Sequence, residues 1–167
     1  MAILLAFPLL ILVLMLQTAV ISHLTLLHGT ADLVMLVLIA WALQERVETA
    51  WLWALFGGII TSYVTALPLY IPLVSYLVIT GIARLLQRRI WQAPVLAMFV
   101  TAVTGTFINH LLSMGALDIN GVPISWLDGI SLVTMPSALL NLILALPVYA
   151  LVSDLANWVY PPVEEEV

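Results

Sequence analysis

The stretch TAWLWALFGGIITSYVTALPLYIPLVSYLVITGIA, residues 49–83, contains no charged side chain. Residues 2–21 and 90–117 also lack charged side chains, and the charges of the chain lie in the short gaps between such runs. A bilayer core requires about 20 apolar residues for each spanning helix. Only 8% of the residues are charged, and the mean hydropathy is +1.20. The chain is therefore predicted to be an all-α integral membrane protein that crosses the bilayer several times.

The content of cysteine and of basic residues excludes several classes of protein. The chain has no cysteine, so disulfides and thiolate chemistry are excluded. It has no lysine and only four arginines, so a nucleic-acid-binding surface is not expected. The first apolar run, 2–21, lacks a positively charged start and is too long for the apolar core of a signal peptide, so we expect it to be retained.

The apolar runs predict a bundle of six transmembrane helices in a single domain, 1–160, followed by an acidic cytoplasmic tail, 161–167. The second predicted helix is short, and at about 1.5 Å per residue it barely crosses a hydrocarbon core of about 30 Å. It should therefore either thin the bilayer or lie behind its neighbours. Pro8 and Pro147 lie within predicted helices, which they should kink. The six predicted helices are 2–22, 30–44, 49–66, 70–87, 93–114 and 136–157.

The arginines indicate the orientation of the chain in the membrane. In a six-helix arrangement, the gaps that contain the arginines all fall on one side, and the gaps on the other side contain no basic residue. An excess of arginine marks the cytoplasmic face, so both termini are predicted to be cytoplasmic. An arrangement of five helices would separate the first arginine from the other three, and it ranks second. The predicted topology anchors are Arg46, Arg84, Arg88 and Arg89. An interfacial aromatic belt is predicted from Trp41, Trp91, Trp126, Trp158 and Tyr160.

Small and polar residues recur at every fourth position in three of the predicted helices. Membrane helices associate through close packing of small residues and through hydrogen bonds between helices. Residues four apart lie on one helix face, so each set should form a stripe that faces the protein interior. The helix-packing stripes contain Ala54, Gly58 and Ser62 in the third helix, Ala97, Thr101, Gly105 and Asn109 in the fifth, and Ser137, Asn141 and Ala145 in the sixth.

Three side chains near the predicted outer boundary resemble a loose metal-ligand set. His28 and Asp32 would share a face if their segment were helical, and His23 lies nearby. Gly29 interrupts the segment, however, and the spacing matches no defined ligand pattern. We therefore predict an interfacial polar turn with Asp32 as a helix N-cap, and no metal site.

The remaining polar residues do not form a recognisable catalytic set. Asn109 and His110 lie within a predicted span, where a polar residue is a candidate functional site. No acidic partner is predicted in an adjacent span, so packing and hydrogen bonding to neighbouring helices are the favoured roles. The serines have no base defined by the sequence and there is no glycine-rich phosphate loop, so neither an enzyme nor a cofactor is predicted.

Two polar regions outside the spans have more than one interpretation. The longest predicted outer loop, 118–126, contains Asn-Gly and Pro, which are typical of turns. It would serve as a lid in a transporter subunit, as a docking site in a scaffold, or as a plain connection. The arginine cluster 84–89 would anchor the topology and contact anionic lipid headgroups, or it would dock an acidic cytoplasmic partner.

The last predicted helix carries a motif that is characteristic of a known family. Residues 136–141, Pro-Ser-Ala-Leu-Leu-Asn, followed by Pro147-Val148-Tyr149, resemble the last helix of the rod shape-determining protein family MreD. The resemblance covers nearly the whole chain, but the family often has proline, an acidic residue and glycine where this chain has Ala31, Ser62 and Tyr70. The matching motif residues are Pro136, Ser137, Asn141, Pro147 and Tyr149. Other positions that agree in order and spacing are Leu16-Gln17-Thr18, Asp32-Leu33, Gln44-Glu45-Arg46, Phe56-Gly57-Gly58, Leu67-Pro68-Leu69 and Leu85-Leu86-Gln87-Arg88-Arg89.

The resemblance implies a non-enzymatic function. Members of the MreD family act in the bacterial inner membrane with the single-span protein MreC, and indirectly with MreB and the wall-synthesis enzymes, to maintain a rod shape. Their helical arrangement resembles that of the substrate-binding subunits of energy-coupling-factor vitamin transporters. This similarity supplies the alternative function. A vitamin-binding subunit would need an outer pocket with convergent polar groups, for which the candidates are Tyr63, Tyr76, Asn109, His110 and Asn141.

Overall fold

A computed structural model describes residues 2–89 and 92–161, with only the backbone described at residue 2. The elements within these residues are helical, and no strand occurs among them. The predicted interfacial Trp91 and residues 162–167 of the predicted acidic tail lie outside the described residues. The α-helices are α1 (Ala2–Ala19), α2 (Leu33–Ala42), α3 (Ala50–Ser62), α4 (Tyr70–Arg89), α5 (Pro94–Ile119), α6 (Trp126–Asp128) and α7 (Met135–Val159).

Within the described part of the chain, four helical runs are long and apolar enough to cross a membrane. Helices α2 and α3 are also apolar but shorter. The all-α class predicted from the sequence is therefore confirmed, and the apolar helices are compatible with the predicted membrane protein. The four long runs are Ile3–His23, Tyr70–Arg89, Pro94–Ile119 and Trp126–Val159.

Helix α2 is the centre of the bundle. Every residue from Val34 to Ala42 is buried, and α2 packs against α1, α3, α4, α5 and α7. A helix that is apolar on all sides is stable only where every side is covered. With 10 residues, α2 is about 15 Å long at 1.5 Å per residue, and protein rather than lipid surrounds it. Two outcomes were predicted for this short segment, namely thinning of the bilayer or burial behind its neighbours. The structure supports the second.

Several helix boundaries differ from the sequence-based prediction, and α3, for example, ends at Ser62 rather than at residue 66. Residues 30–32 are not helical, so α2 begins at Leu33 rather than at residue 30. The predicted outer connection, 115–135, is largely helical, because α5 continues to Ile119 and the next helical run begins at Trp126. Only residues 120–125 remain as a loop, in which Gly121 has a φ of 79°, a conformation that glycine adopts without steric cost.

The 34-residue run Trp126–Val159 contains a π-helical segment, Gly129–Thr134, between α6 and α7. The hydroxyl of Thr134 donates a hydrogen bond to the carbonyl of Gly129, at 3.1 Å. The sequence-based start at residue 136 took Pro136 as the first residue of a helix. Helix α7 instead begins at Met135, directly after the π-helical segment, and Pro136 lies in its first turn.

The predicted stripe residues lie on the inner faces of their helices. Ser62 and Asn109 are half-buried, and the other eight stripe residues are buried. Gly58 marks the closest approach, since a Cβ atom placed there would lie 2.7 Å from the Cα of Leu73 in α4. The backbones of α3 and α4 can therefore approach this closely only with glycine at position 58.

We expect Gly58→Leu to destabilise the bundle, because the new side chain would collide with the α4 backbone. Overpacking of this kind costs about 1–3 kcal/mol, and the amount of protein in the membrane should fall. The matched control is Leu96→Ile on the outer face of α5, where Leu96 is 53% exposed. Quantitative immunoblotting of membrane fractions measures both variants, and equal accumulation would contradict the assignment of the stripe.

Candidate functional site

The segment 24–32, which precedes α2, is non-helical and packs against α7. Leu26 and Gly29 exchange two backbone hydrogen bonds, of 3.0 and 2.9 Å, across a tight turn. Leu27 in that turn has a φ of 55°, which is a strained conformation for a side chain of this type. A Cβ atom on Gly29 would lie 2.6 Å from the backbone nitrogen of Ser137. Glycine at position 29 is therefore required for the turn to lie directly against α7.

Three alternate residues of this segment donate their backbone N–H groups to acceptors in α7 and in the π-helical segment that precedes it. His28 donates to the carbonyl of Leu132, at 3.1 Å. Thr30 donates to the hydroxyl of Ser137 at 3.0 Å. Asp32 donates to the side-chain oxygen of Asn141 at 2.8 Å. In an extended segment, the backbone N–H groups of alternate residues point in the same direction. We call this set of three hydrogen bonds the 28–32 ladder.

Pro136 explains why a helix can accept the first bond of the ladder. An α-helical residue at position 136 would donate its N–H to the carbonyl of Leu132, but proline has no N–H. The Leu132 carbonyl instead accepts the N–H of His28. Ser137 and Asn141 lie one turn apart on the same face and supply the other two acceptors. Three residues of the family-like motif thus have a physical role, which is to satisfy the backbone of the segment 28–32.

The carboxylate of Asp32 lies at the end of the ladder and accepts several hydrogen bonds. The hydroxyl of Tyr76 donates to it, at 2.9 Å from Oδ2 and 3.2 Å from Oδ1. The side-chain amide of Asn109 donates to Oδ2 at 3.3 Å, and the backbone N–H of Met35 donates to Oδ1 at 2.9 Å. Asp32 is thus the N-cap of α2, as the sequence predicted, and its negative charge lies at the positive end of that helix.

Further hydrogen bonds around this carboxylate join α7 to α5, α4 to α5, and α2 to α1. Asn141 donates to Thr106 at 2.8 Å, and Ser75 donates to Asn109 at 2.8 Å. On the other side, the side-chain oxygen of Gln17 in α1 accepts the N–H of Val34 at 3.2 Å. Five helices therefore meet through polar groups around one acidic side chain. We call the side chains of Gln17, Asp32, Ser75, Tyr76, Thr106, Asn109 and Asn141 the Asp32 network.

The network corrects one inference from the sequence. Asn109 was expected to lack an acidic partner, but Asp32 lies within hydrogen-bonding distance of it. Asn109 lies about 15 Å from the Ile119 end of α5, at 1.5 Å per residue, so the carboxylate lies well within the bundle. The informative signal was the length of α2, because a helix too short to cross the bilayer must begin or end inside the protein.

The structure separates the other residues of the predicted outer pocket. Tyr76, Asn109 and Asn141 meet in the Asp32 network. Tyr63 is 80% exposed and lies apart from them, at the end of α3. His110 faces the π-helical segment, where its Nδ1 lies 3.1 Å from the hydroxyl of Thr134. This contact agrees with the predicted hydrogen bond to a neighbouring helix.

The histidines of the loose metal-ligand set do not gather around Asp32. His23 ends a short 3₁₀ turn, Ile21–His23, and His28 lies in the Leu26–Gly29 turn; both are exposed. Because the segment from 28 to 32 is extended, His28 and Asp32 do not share a helix face. Within residues 2–89 and 92–161, no three His, Asp or Glu side chains are grouped as metal ligands.

Arg46, Arg84 and Arg88 lie at one end of the bundle. There they border two neighbouring polar cavities, of about 250 and 610 Å³, which share Glu45 and Gln87 in their linings. Arg84 donates to the carbonyl of Gln44 at 3.2 Å, and Arg46 donates to the carbonyl of Tyr160 at 3.4 Å. Arg89, at the end of α4, is exposed.

A third cavity, of about 300 Å³, lies near the other end of the bundle. His110 of α5 and Thr134 of the π-helical segment border it, and so does Ile124 of the loop 120–125. Most of its lining is apolar.

The chain matches no protein-family model, no curated protein and no solved structure. Its function is therefore inferred from its own residues.

We expect Asn141→Leu to lower the free energy of unfolding by about 1–3 kcal/mol, because the buried N–H of Asp32 then loses its acceptor. Asn157→Leu on the same helix is the matched control, since Asn157 is exposed. Unfolding of both variants in mild detergent, followed by circular dichroism, measures the difference. Equal midpoints for the two variants would show that the bond from Asp32 to Asn141 contributes nothing to stability.

Proposed function

We propose that the chain is a non-enzymatic scaffold of the MreD type in the bacterial inner membrane. In this proposal it forms a six-helix transmembrane domain, and the single helix of an MreC-like partner packs laterally on it. MreB and the wall-synthesis enzymes act through that partner. The complex maintains cell shape by regulating peptidoglycan synthesis during elongation.

The observation that supports this proposal best is that the central polar groups bond to one another. Tyr76, Asn109 and Asn141 are three of the five residues predicted to line a vitamin-binding pocket. Each directs a polar atom at another residue of the Asp32 network, at distances of 2.8–3.3 Å. A network that is satisfied internally fixes the arrangement of the helices, which is what a scaffold requires.

The role of the motif supports the same proposal. Pro136, Ser137 and Asn141 position the segment 28–32 rather than a reacting group. The features that make this chain resemble the MreD family are therefore features that build the fold. This agrees with a family whose function is to hold partners together.

The alternative is a substrate-binding subunit of an energy-coupling-factor vitamin transporter. The cavity of about 300 Å³ beside His110 favours it, since the loop 120–125 lies beside it and could act as a lid. The lining is mostly apolar, however, whereas a vitamin requires several precisely placed polar groups. The scaffold remains the better supported of the two.

Affinity purification from native membranes in mild detergent, with identification of all co-purifying proteins, tests the proposal. We expect a single-span protein of the MreC type with a large periplasmic domain. Co-purification of ATPase subunits together with a coupling subunit would contradict the scaffold proposal and support the alternative. A parallel purification of an unrelated multipass protein from the same membranes controls for nonspecific capture.

The proposed orientation, with both termini in the cytoplasm, has a separate test. Because the chain has no cysteine, single cysteines report their own accessibility. In intact cells, a membrane-impermeant maleimide should label Asn120→Cys, in the loop 120–125, but not Glu48→Cys, near the arginines. Glu48→Cys should react only after the membrane is permeabilised. The reverse pattern would contradict the orientation.

A further inference from the structure

The larger of the two polar cavities lies between the start of α3 and the end of α4. Its volume is about 610 Å³, and its charged lining consists of Arg84 and Arg88 together with Glu45 and Glu48. The two arginines lie four residues apart in α4 and therefore share a face. The two glutamates lie in the connection between α2 and α3. The cavity lining thus carries two positive and two negative groups.

The hydrogen bond that Arg84 makes goes to the carbonyl of Gln44 rather than to a glutamate. Arg88, Glu45 and Glu48 are exposed. An anionic group of a bound molecule would be attracted to the two arginines, and a cationic group of the same molecule to the two glutamates. Because the charges balance, the cavity favours a zwitterion over a molecule with net charge of either sign.

The surface beside the cavity is apolar. Trp51 borders the cavity, is 50% exposed, and lies across α4 at Gly81, where its ring is 3.2 Å from the position of a Cβ atom. Further along the two helices, away from the arginines, exposed apolar side chains continue on both α3 and α4. They include Leu55, which is 36% exposed, and Val78, which is 43% exposed. A ligand that fits both regions has a polar head and apolar chains.

We propose that this cavity binds a phospholipid with a phosphate and a primary ammonium group, as in an ethanolamine phospholipid. The phosphate contacts Arg84 and Arg88, since arginine is well suited to phosphate. The ammonium contacts Glu45 and Glu48, to which it donates hydrogen bonds that a choline headgroup cannot form. The acyl chains lie along the apolar surface of α3 and α4. This site is independent of the proposed scaffold function.

The glutamates distinguish this inference from simpler explanations of the arginines. An anionic lipid or an acidic segment of a partner would meet two negative side chains in the same cavity, and repulsion would weaken its binding. A topology anchor requires arginines at the membrane boundary but needs neither a cavity nor carboxylates in its lining.

Native mass spectrometry of the detergent-purified full chain tests the proposal. The protein is offered ethanolamine, glycerol and choline phospholipids with identical acyl chains in equal amounts. We expect the ethanolamine lipid to be retained preferentially. Equal retention of all three, or preference for the glycerol lipid, would overturn the proposal. Binding of soluble glycerophosphoethanolamine with the same affinity as the lipid would overturn the part that assigns the acyl chains.

Two variants assign the binding to the cavity. Arg88→Gln should weaken binding of the ethanolamine lipid about fivefold, the typical effect of one arginine at a membrane surface. Glu48→Gln should reduce the preference for the ethanolamine over the glycerol lipid. The control Arg89→Gln removes an adjacent charge that does not line the cavity and should change neither quantity. An effect of Arg89→Gln equal to that of Arg88→Gln would show that net charge alone is responsible, and would overturn the site.

Discussion

The structure depends on one constraint, which is that a non-helical backbone segment packed against a helix must find hydrogen-bond partners within the protein. Non-helical backbone is tolerated at membrane depth only where protein or a water-filled cavity surrounds it. In the segment 28–32, alternate N–H groups point toward α7 and the π-helical segment that precedes it, and each donates to an acceptor there. Pro136 frees one acceptor, and the side chains of Ser137 and Asn141 supply the other two. The position of the short helix α2 follows from this arrangement.

Asp32 connects that constraint to the rest of the bundle. Its backbone N–H ends the ladder, and its carboxylate caps α2 and accepts bonds from α4 and α5. A carboxylate in an apolar interior is costly unless hydrogen bonds compensate it, so Tyr76 and Asn109 are held close to it. An acidic residue within a membrane domain is ordinarily a candidate for transport or catalysis. Here its hydrogen bonds give it a structural role, which agrees with the proposed scaffold.

The sequence was most informative where composition and periodicity decide the outcome. The charge-free runs predicted a helical membrane protein, and the four-residue spacing selected positions such as Gly58 and Ala97 that are buried. The Asp32 N-cap was also predictable, because the residue precedes an apolar helix. The partners of Asp32 were not, since Tyr76 and Asn109 are distant in sequence and only the packing of α4 and α5 around α2 brings them together. The start of the last helical run was missed because Pro136 resembles a first helical residue, whereas the π-helical segment before it has no comparable signal.

The end of the bundle that carries the arginines also shows what the sequence alone could not predict. The arginines alone indicate orientation. The presence of Arg84 and Arg88 with Glu45 and Glu48 in the lining of one cavity depends on how the connection between α2 and α3 meets the end of α4. The lipid specificity that we infer follows from this placement rather than from the number of charges.

Amide hydrogen exchange at single-residue resolution, on the chain in lipid nanodiscs, tests the central claim most directly. The account predicts that the amides of Thr30 and Asp32 exchange far more slowly than those of the loop 120–125. It also predicts that Ser137→Ala accelerates exchange at Thr30 more than at Asp32, because only Thr30 loses its acceptor. Exchange at Thr30 and Asp32 as fast as in the loop would show that α7 does not hold the segment 28–32, and would contradict the account.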